Sequence, residues 1–330
     1  MKHVALPTSG TRGACASSAT GSLYVAYGGD GGPNGNGSLL RYDLAKDTVT
    51  WKRDYPFGID SMAVDPAGRR IFMPDGELSS DGTWYVLDAA NGNVLGTIPG
   101  GLSPHNTVLS RDGKRVYLGG RNYDWLLVAD AATRKIVKRI GPLKSGVRPF
   151  TIDGSETYAF TTATGLLGFQ VSSIRTGKVL HTLGFPGFGY DSSTFEPTCP
   201  SHGISLSPNE HDVYVMDAPN ATIHVFDVRR LPAAPRMVAS VKVRGLSGSE
   251  VGCRYDCLRD GWVSHSHDGR YVLVGDSGDV ISTATRRVVG SIPALHETRV
   301  YLEIDFDASG RVVWAAPFRS TVGRVLHRTR

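Results

Sequence analysis

Charged or imidazole side chains recur along this sequence at intervals of about 40 to 60 residues: Arg12, Asp60, His105, Arg148, His202, Arg259 with Asp260, and Arg299, with Glu303 just beyond. Planar guanidinium groups suit bidentate capture of a carboxylate or phosphate. Imidazole is the side chain that exchanges a proton near neutrality. Arginine and histidine around one pocket, with no separate nucleophile, fit one reaction class: removal of a proton α to a carboxylate, followed by β-elimination. In that chemistry Arg12, Arg148 or Arg259 neutralises the carboxylate and stabilises the developing enediolate. His105 or His202 takes the α-proton, and the other imidazole or Tyr190 protonates the leaving oxygen. Asp60, Asn106, Asp260, Arg299, Glu303 and Tyr255 complete the expected substrate contacts. The competing structural reading pairs Arg12, Arg148, Arg259 and Arg299 with Asp60, Asp260, Glu303 and Asp305, because a desolvated charge is costly unless it is paired.

The elements that must position these residues repeat. Each copy has an apolar-alternating strand, a turn of the Ser/Asp-x-Asp-Gly type, and a strand ending in Gly or Asp. Clear copies are HNTVLSRDGKRVYLGG from His105, HGISLSPNEHDVYVMD from His202 and GWVSHSHDGRYVLVGD from Gly261. Weaker copies start at Arg12, Asp60, Arg148 and Arg299, and most copies continue into a third and a fourth strand. Four strands per repeat predict an all-β fold, a seven-bladed β-propeller of four-stranded antiparallel blades forming one domain over residues 1–330. The last copy runs out at GRVLHRTR, so Lys2 to Pro7 (KHVALP) are expected to pair with it and close the ring. First strands line the axis of such a fold. The recurring Arg, His and Asp positions then share one mouth of the channel, while His265 and His267 fall toward the other.

Through RVYLGG, DVYVMD and RYVLVGD, with the turns before them, the chain resembles the seven-bladed YVTN/YncE-like propellers over essentially its whole length. The resemblance implies the fold and is nearly silent on function, since members include binding proteins, enzymes and proteins without an assigned role. In pocket chemistry the chain is also similar to the propeller polysaccharide lyases that cleave next to uronic acids, without a motif that matches residue by residue.

Long loops over the ring, residues 184–201 and 243–260, carry Phe185, Phe188, Tyr190, Phe195 and Tyr255, whose rings suit a sugar or another flat ligand. Cys199 lies in the first, and Cys253 and Cys257 in the second. A bridge between loops and a local Cys253–Cys257 bridge are both open, and either implies an oxidising compartment. Cys-x-x-x-Cys is not the usual zinc spacing and no second pair exists, so no catalytic metal is expected. Acidic turns holding Asp75, Glu77, Asp217 and Asp276 leave a structural calcium open.

G-x-S-x-G, H-E-x-x-H and P-loop signatures are absent. The net charge of +5, from 36 Lys and Arg against 31 Asp and Glu, includes no basic run that would argue for nucleic acid. No apolar stretch reaches membrane-spanning length. The expectation is a monomer, secreted or periplasmic with its leader absent, acting as a lyase on an acidic saccharide or other small carboxylate ligand. The alternatives are a non-catalytic propeller that holds an anionic ligand or a protein partner, and a small-molecule lactonase or isomerase.

Overall fold

The computed structural model describes residues 3–28, 37–195, 198–250, 253 and 257–324. Its strands form six four-stranded antiparallel sheets, over residues 11–55, 63–99, 104–140, 147–183, 204–242 and 262–296, and one two-stranded sheet over residues 304–315. In each four-stranded sheet sequence order is spatial order, the meander of a propeller blade. Among the described residues there is no helix, hence none that could cross a membrane.

The burial of each strand follows its radial position. Inner strands such as Pro104–Leu109 and Val147–Ile152 are buried along their whole length, because neighbouring blades cover both faces. The outer strand Val179–Leu183 alternates between half-buried and exposed. Between blades the core is filled by large side chains, among them Trp84, Tyr117, Phe150 and Phe160. The recurring turn is held by its own polar atoms: Ser110 Oγ donates to Asp112 Oδ1 at 2.8 Å, and Gly113 N donates to Ser110 O at 2.9 Å. Gly113 sits at φ +68°, a left-handed backbone that a side chain disfavours.

The expected seventh four-stranded blade does not form, and the propeller has six. The seventh repeat supplies only Ile304–Phe306 and Val312–Ala315. The physical reason is the route of the chain beyond Ala315, which turns inward instead of outward, so that residues 316–324 run across the channel. Val64 N donates to Pro317 O at 2.9 Å, Trp262 Nε1 to Arg319 O at 3.2 Å, and Gly323 N to Ile152 O at 3.0 Å. Phe318 joins the core with Val108, Phe150 and their neighbours, and Arg319 lies 3.9 Å over the Trp262 ring. Backbone that would have made a third strand is thus spent on the inner strands of other blades.

The expected closing strand at the N-terminus is also absent. Residues 4–7 are irregular, and Lys2 lies outside the described residues. Leu6 packs on Tyr27, Leu40 and Tyr42 of the first blade rather than on the last repeat. The two-stranded sheet joins the first blade through Ala16 N, which donates to Ala316 O at 2.8 Å.

Candidate functional site

Each inner strand begins at one mouth of the channel and ends at the other, so residues at the same register gather in one ring. Arg12 and His105 lie in the first two positions of Thr11–Ser17 and Pro104–Leu109, and Asp60 and His202 lie just before their strands. Arg12, Asp60, His105, His202 and Arg299 line a common void of about 20 Å³, together with Glu77, Glu250 and Arg319. That is room for about one water molecule.

Two carboxylate–imidazole pairs face each other across this void. His105 Nδ1 lies 3.0 Å from Asp60 Oδ2, and the second oxygen of Asp60 accepts the Ser61 backbone N–H at 2.7 Å. His202 Nδ1 lies 3.0 Å both from Asp260 Oδ1 and from the Gly261 carbonyl oxygen. A carbonyl only accepts, so Nδ1 of His202 carries the proton and Nε2 holds the free lone pair of the neutral ring. Asp60 Oδ2 offers His105 Nδ1 an acceptor in the same position, a contact that favours the same tautomer. The ring centroids are 6.3 Å apart, and His105 Nε2 is buried without a hydrogen-bond partner. Burial depresses the pKa of His202, opposed by Asp260. Burial raises the Asp260 carboxyl, but Arg299, His202 and Arg148 outweigh it and bring it down to about 2.

Arginines fill the space behind these pairs, and most already hold acids. Glu77, on the loop between Arg70–Pro74 and Thr83–Asp88, is gripped by Arg12 and by Arg121 Nη1 at 2.7 Å. Arg148 Nη1 stands 3.7 Å from the same carboxylate and His105 Nδ1 3.8 Å. Burial opposes ionisation of Glu77, yet Arg12, His105, Arg121 and Arg148 together hold it well below the usual glutamate range. Arg299 bonds Asp260 and sits with Nε 2.8 Å from Glu250 Oε1. Burial pushes Glu250 up to about 8, and Arg299 offsets this only in part.

Arg148 is 1% exposed, its Nη2 donates to Thr198 Oγ1 at 2.8 Å, and its Nε and Nη1 make no hydrogen bond. It stands behind the void rather than in its wall, and among the described residues Arg12 Nε and Arg319 Nε are likewise buried without a hydrogen-bond partner.

Other expected site residues fall elsewhere. Arg259 lies at the rim, 2.5 Å from Glu297 Oε1. Asn106 is buried next to His105, its backbone paired with Gly119 and its Nδ2 without a partner. Tyr190 is on the covering loop, where its hydroxyl donates to Gly165 O at 3.1 Å and its ring packs edge-on to Phe195. Tyr255 lies outside the described residues. Glu303 is at the opposite mouth, where its Oε2 accepts the His267 backbone N–H at 2.7 Å. It sits four residues further along the inward path than Arg299, and that distance carries it through the channel.

Glu77, Arg121, Thr198, Glu250 and Arg319 complete the site without having been expected in these roles. All lie outside the repeated first strand, so register gave no signal for them. Charge balance did: a ring so rich in arginine needs acids, and Glu77 and Glu250 lie in loops on that face.

Among the described residues two groups have metal-ligating atoms within mutual reach, Asp60 with Glu77 and His105, and Glu250 with Asp260 and Asp276. Guanidinium groups already lie against both, which removes much of the negative charge a divalent cation needs. Cys253 and Cys257 form the local disulfide, and Cys15 and Cys199 are free and buried.

No protein-family model and no curated protein matches the chain. The chain is a β-propeller, but with six four-stranded blades and no matching family model its specific likeness to the seven-bladed YVTN/YncE-like proteins is not confirmed.

Proposed function

We propose that the arginine-lined mouth is an acid–base site for a carboxylate-bearing saccharide, with His105 and His202 as the proton-transfer pair and Arg148 as the carboxylate anchor. The observation that carries this reading is the facing pair of imidazoles, each with Nδ1 tied to a carboxylate. Such a ring has its orientation and tautomer fixed, and offers Nε2 to a substrate.

In the proposed reaction Nε2 of one ring removes the proton α to the carboxylate of a uronate residue. The electron pair of that C–H bond becomes the new C=C bond, and the bond from the β-carbon to the glycosidic oxygen breaks. The other imidazole, protonated, gives its proton to the departing oxygen. Arg148 faces the carboxylate, whose charge grows as the enediolate forms. Tyr190 is left in the covering loop and not assigned as the acid. Arg12, Arg121 and Arg299 are positioning residues, since they hold the acids that orient the imidazoles. A saccharide needs far more room than the present void, so the reading requires loops 184–195 and 243–250 to lift on binding. The Cys253–Cys257 bridge suits an oxidising compartment, where we place the protein.

A second reading, a non-catalytic propeller whose channel is fastened by ion pairs, is favoured by the small void and by the pairing of Arg12, Arg259 and Arg299. The two are separated by following the ultraviolet absorbance of unsaturated uronate on a panel of acidic glycans. Catalysis predicts absorbance growth that is lost in His105→Ala and in His202→Ala. No growth on any uronate substrate removes the lyase reading in favour of the second.

A further inference from the structure

At the opposite mouth the channel opens into a cavity of about 430 Å³, within the size range of small-molecule sites. Its wall includes Trp314 and Phe318, with Arg111, Arg319 and Arg324 around them. Charge is arranged here in the reverse of the upper ring. None of these three arginines has a carboxylate at ion-pair distance among the described residues. Arg111 Nη1 donates to Arg324 O at 2.6 Å and Arg324 Nη1 to His267 O at 2.6 Å; a carbonyl satisfies a donor without neutralising its charge. Arg319 Nη2 likewise donates to Arg299 O. Of the acids lining the cavity, Asp65 is held by Arg70 at 3.0 Å, and Glu303 is engaged by the His267 backbone N–H.

Three buried polar atoms of lining residues also lack any partner: Arg319 Nε, His265 Nε2 and Ser17 Oγ. Arg319, His265 and Ser17 are each more than nine-tenths buried. Leaving such groups unsatisfied is costly. An anion held in the cavity supplies countercharge and further acceptors to the arginines that line it. We infer that this mouth is a second site, for a small organic anion presenting a carboxylate or phosphate to Arg111, Arg319 and Arg324, with its apolar part against Trp314 and Phe318. Arg319 lines both this cavity and the upper void, but the inference does not depend on the chemistry proposed for the upper ring.

The test titrates the full chain with glucuronate, and separately with inorganic phosphate, at constant ionic strength, reading tryptophan fluorescence and heat. Saturable binding of either probe is expected, weakened by about tenfold or more in Arg111→Ala and in Arg324→Gln, the loss of one charge-assisted contact. Arg229→Ala, on an exposed turn that lines neither mouth, is expected to bind as the wild type does. Arg111 sits on an exposed turn, so its substitution decides the matter if Arg324→Gln melts early. The tighter of the two probes identifies the headgroup. Absence of saturable binding of both probes overturns the inference, as does binding that Arg111→Ala leaves intact. Equal weakening in Arg229→Ala also overturns it, by showing that the probes follow net charge rather than this cavity.

Discussion

Replacing Glu77 by Gln tests the upper ring at its electrostatic centre. The change keeps shape and removes a carboxylate that, among the described residues, Arg12 and Arg121 share, with Arg148 and His105 just beyond. Glu77 is 1% exposed, so water cannot take its place. Removing one partner of a buried ion pair costs about 3–5 kcal/mol, because the remaining charge stays desolvated. For a chain of 330 residues the unfolding entropy near the midpoint is about 0.7 kcal/mol/K, which converts that loss to a fall in Tm of about 4–7 °C. Differential scanning calorimetry at neutral pH reads it directly. The pH dependence supplies a second check. The folded carboxyl titrates below its ordinary 4.5, so its stabilisation is fully present above pH 4.5 and lost as pH falls through the folded value. The gap between wild type and Glu77→Gln must therefore close in acid. A Tm change within about 1 °C at neutral pH, too small for a lost buried ion pair, would refute the reasoning, and so would a gap that widens as pH falls.

The same structure sets other expected outcomes. Phe318→Ala should cost about 3–5 kcal/mol in denaturant unfolding, since the ring fills the core where the chain crosses the channel. Burial depresses the pKa of His265 to about 3, so its unfolded state binds more protons between that value and the ordinary 6.5, and stability falls as pH falls through this window. His265→Asn should flatten the slope there by up to about 1.4 kcal/mol per pH unit, read from denaturant curves at several pH values. After mild reduction of the native protein, a thiol reagent should label Cys253 and Cys257 quickly. Cys15 and Cys199 should react only on unfolding, because burial both shields them and raises their pKa.

The propeller was legible because its turn is local. Ser110, Asp112 and Gly113 make one corner by themselves, and the same residue types recur wherever the chain must turn that way. The number of complete blades was not legible by the same means. The seventh copy has the turn and its two flanking strands, but the path after Ala315 is set by where Phe318 and Arg319 find partners, on other blades. Register likewise placed Arg12, Asp60, His105, His202 and Asp260 at one mouth, since equivalent positions in repeated strands must gather there. It could not show that Glu77 and Glu250 come down from loops to occupy the arginines. Nor did it place Arg319, which lines both the upper void and the lower cavity, or Arg324 at the lower mouth, because both belong to a segment outside the repeat pattern.

The central claim is that His105 and His202 are fixed with Nδ1 protonated and Nε2 directed to chemistry. Nitrogen-15 NMR of the histidine rings, assigned by comparison with His105→Ala and His202→Ala, measures this without a substrate. The account predicts a pyrrole-type Nδ1 in both rings, with Nε2 as the nitrogen that takes up and releases the proton on titration. A pyrrole-type Nε2 with a bare Nδ1 in either ring would contradict it.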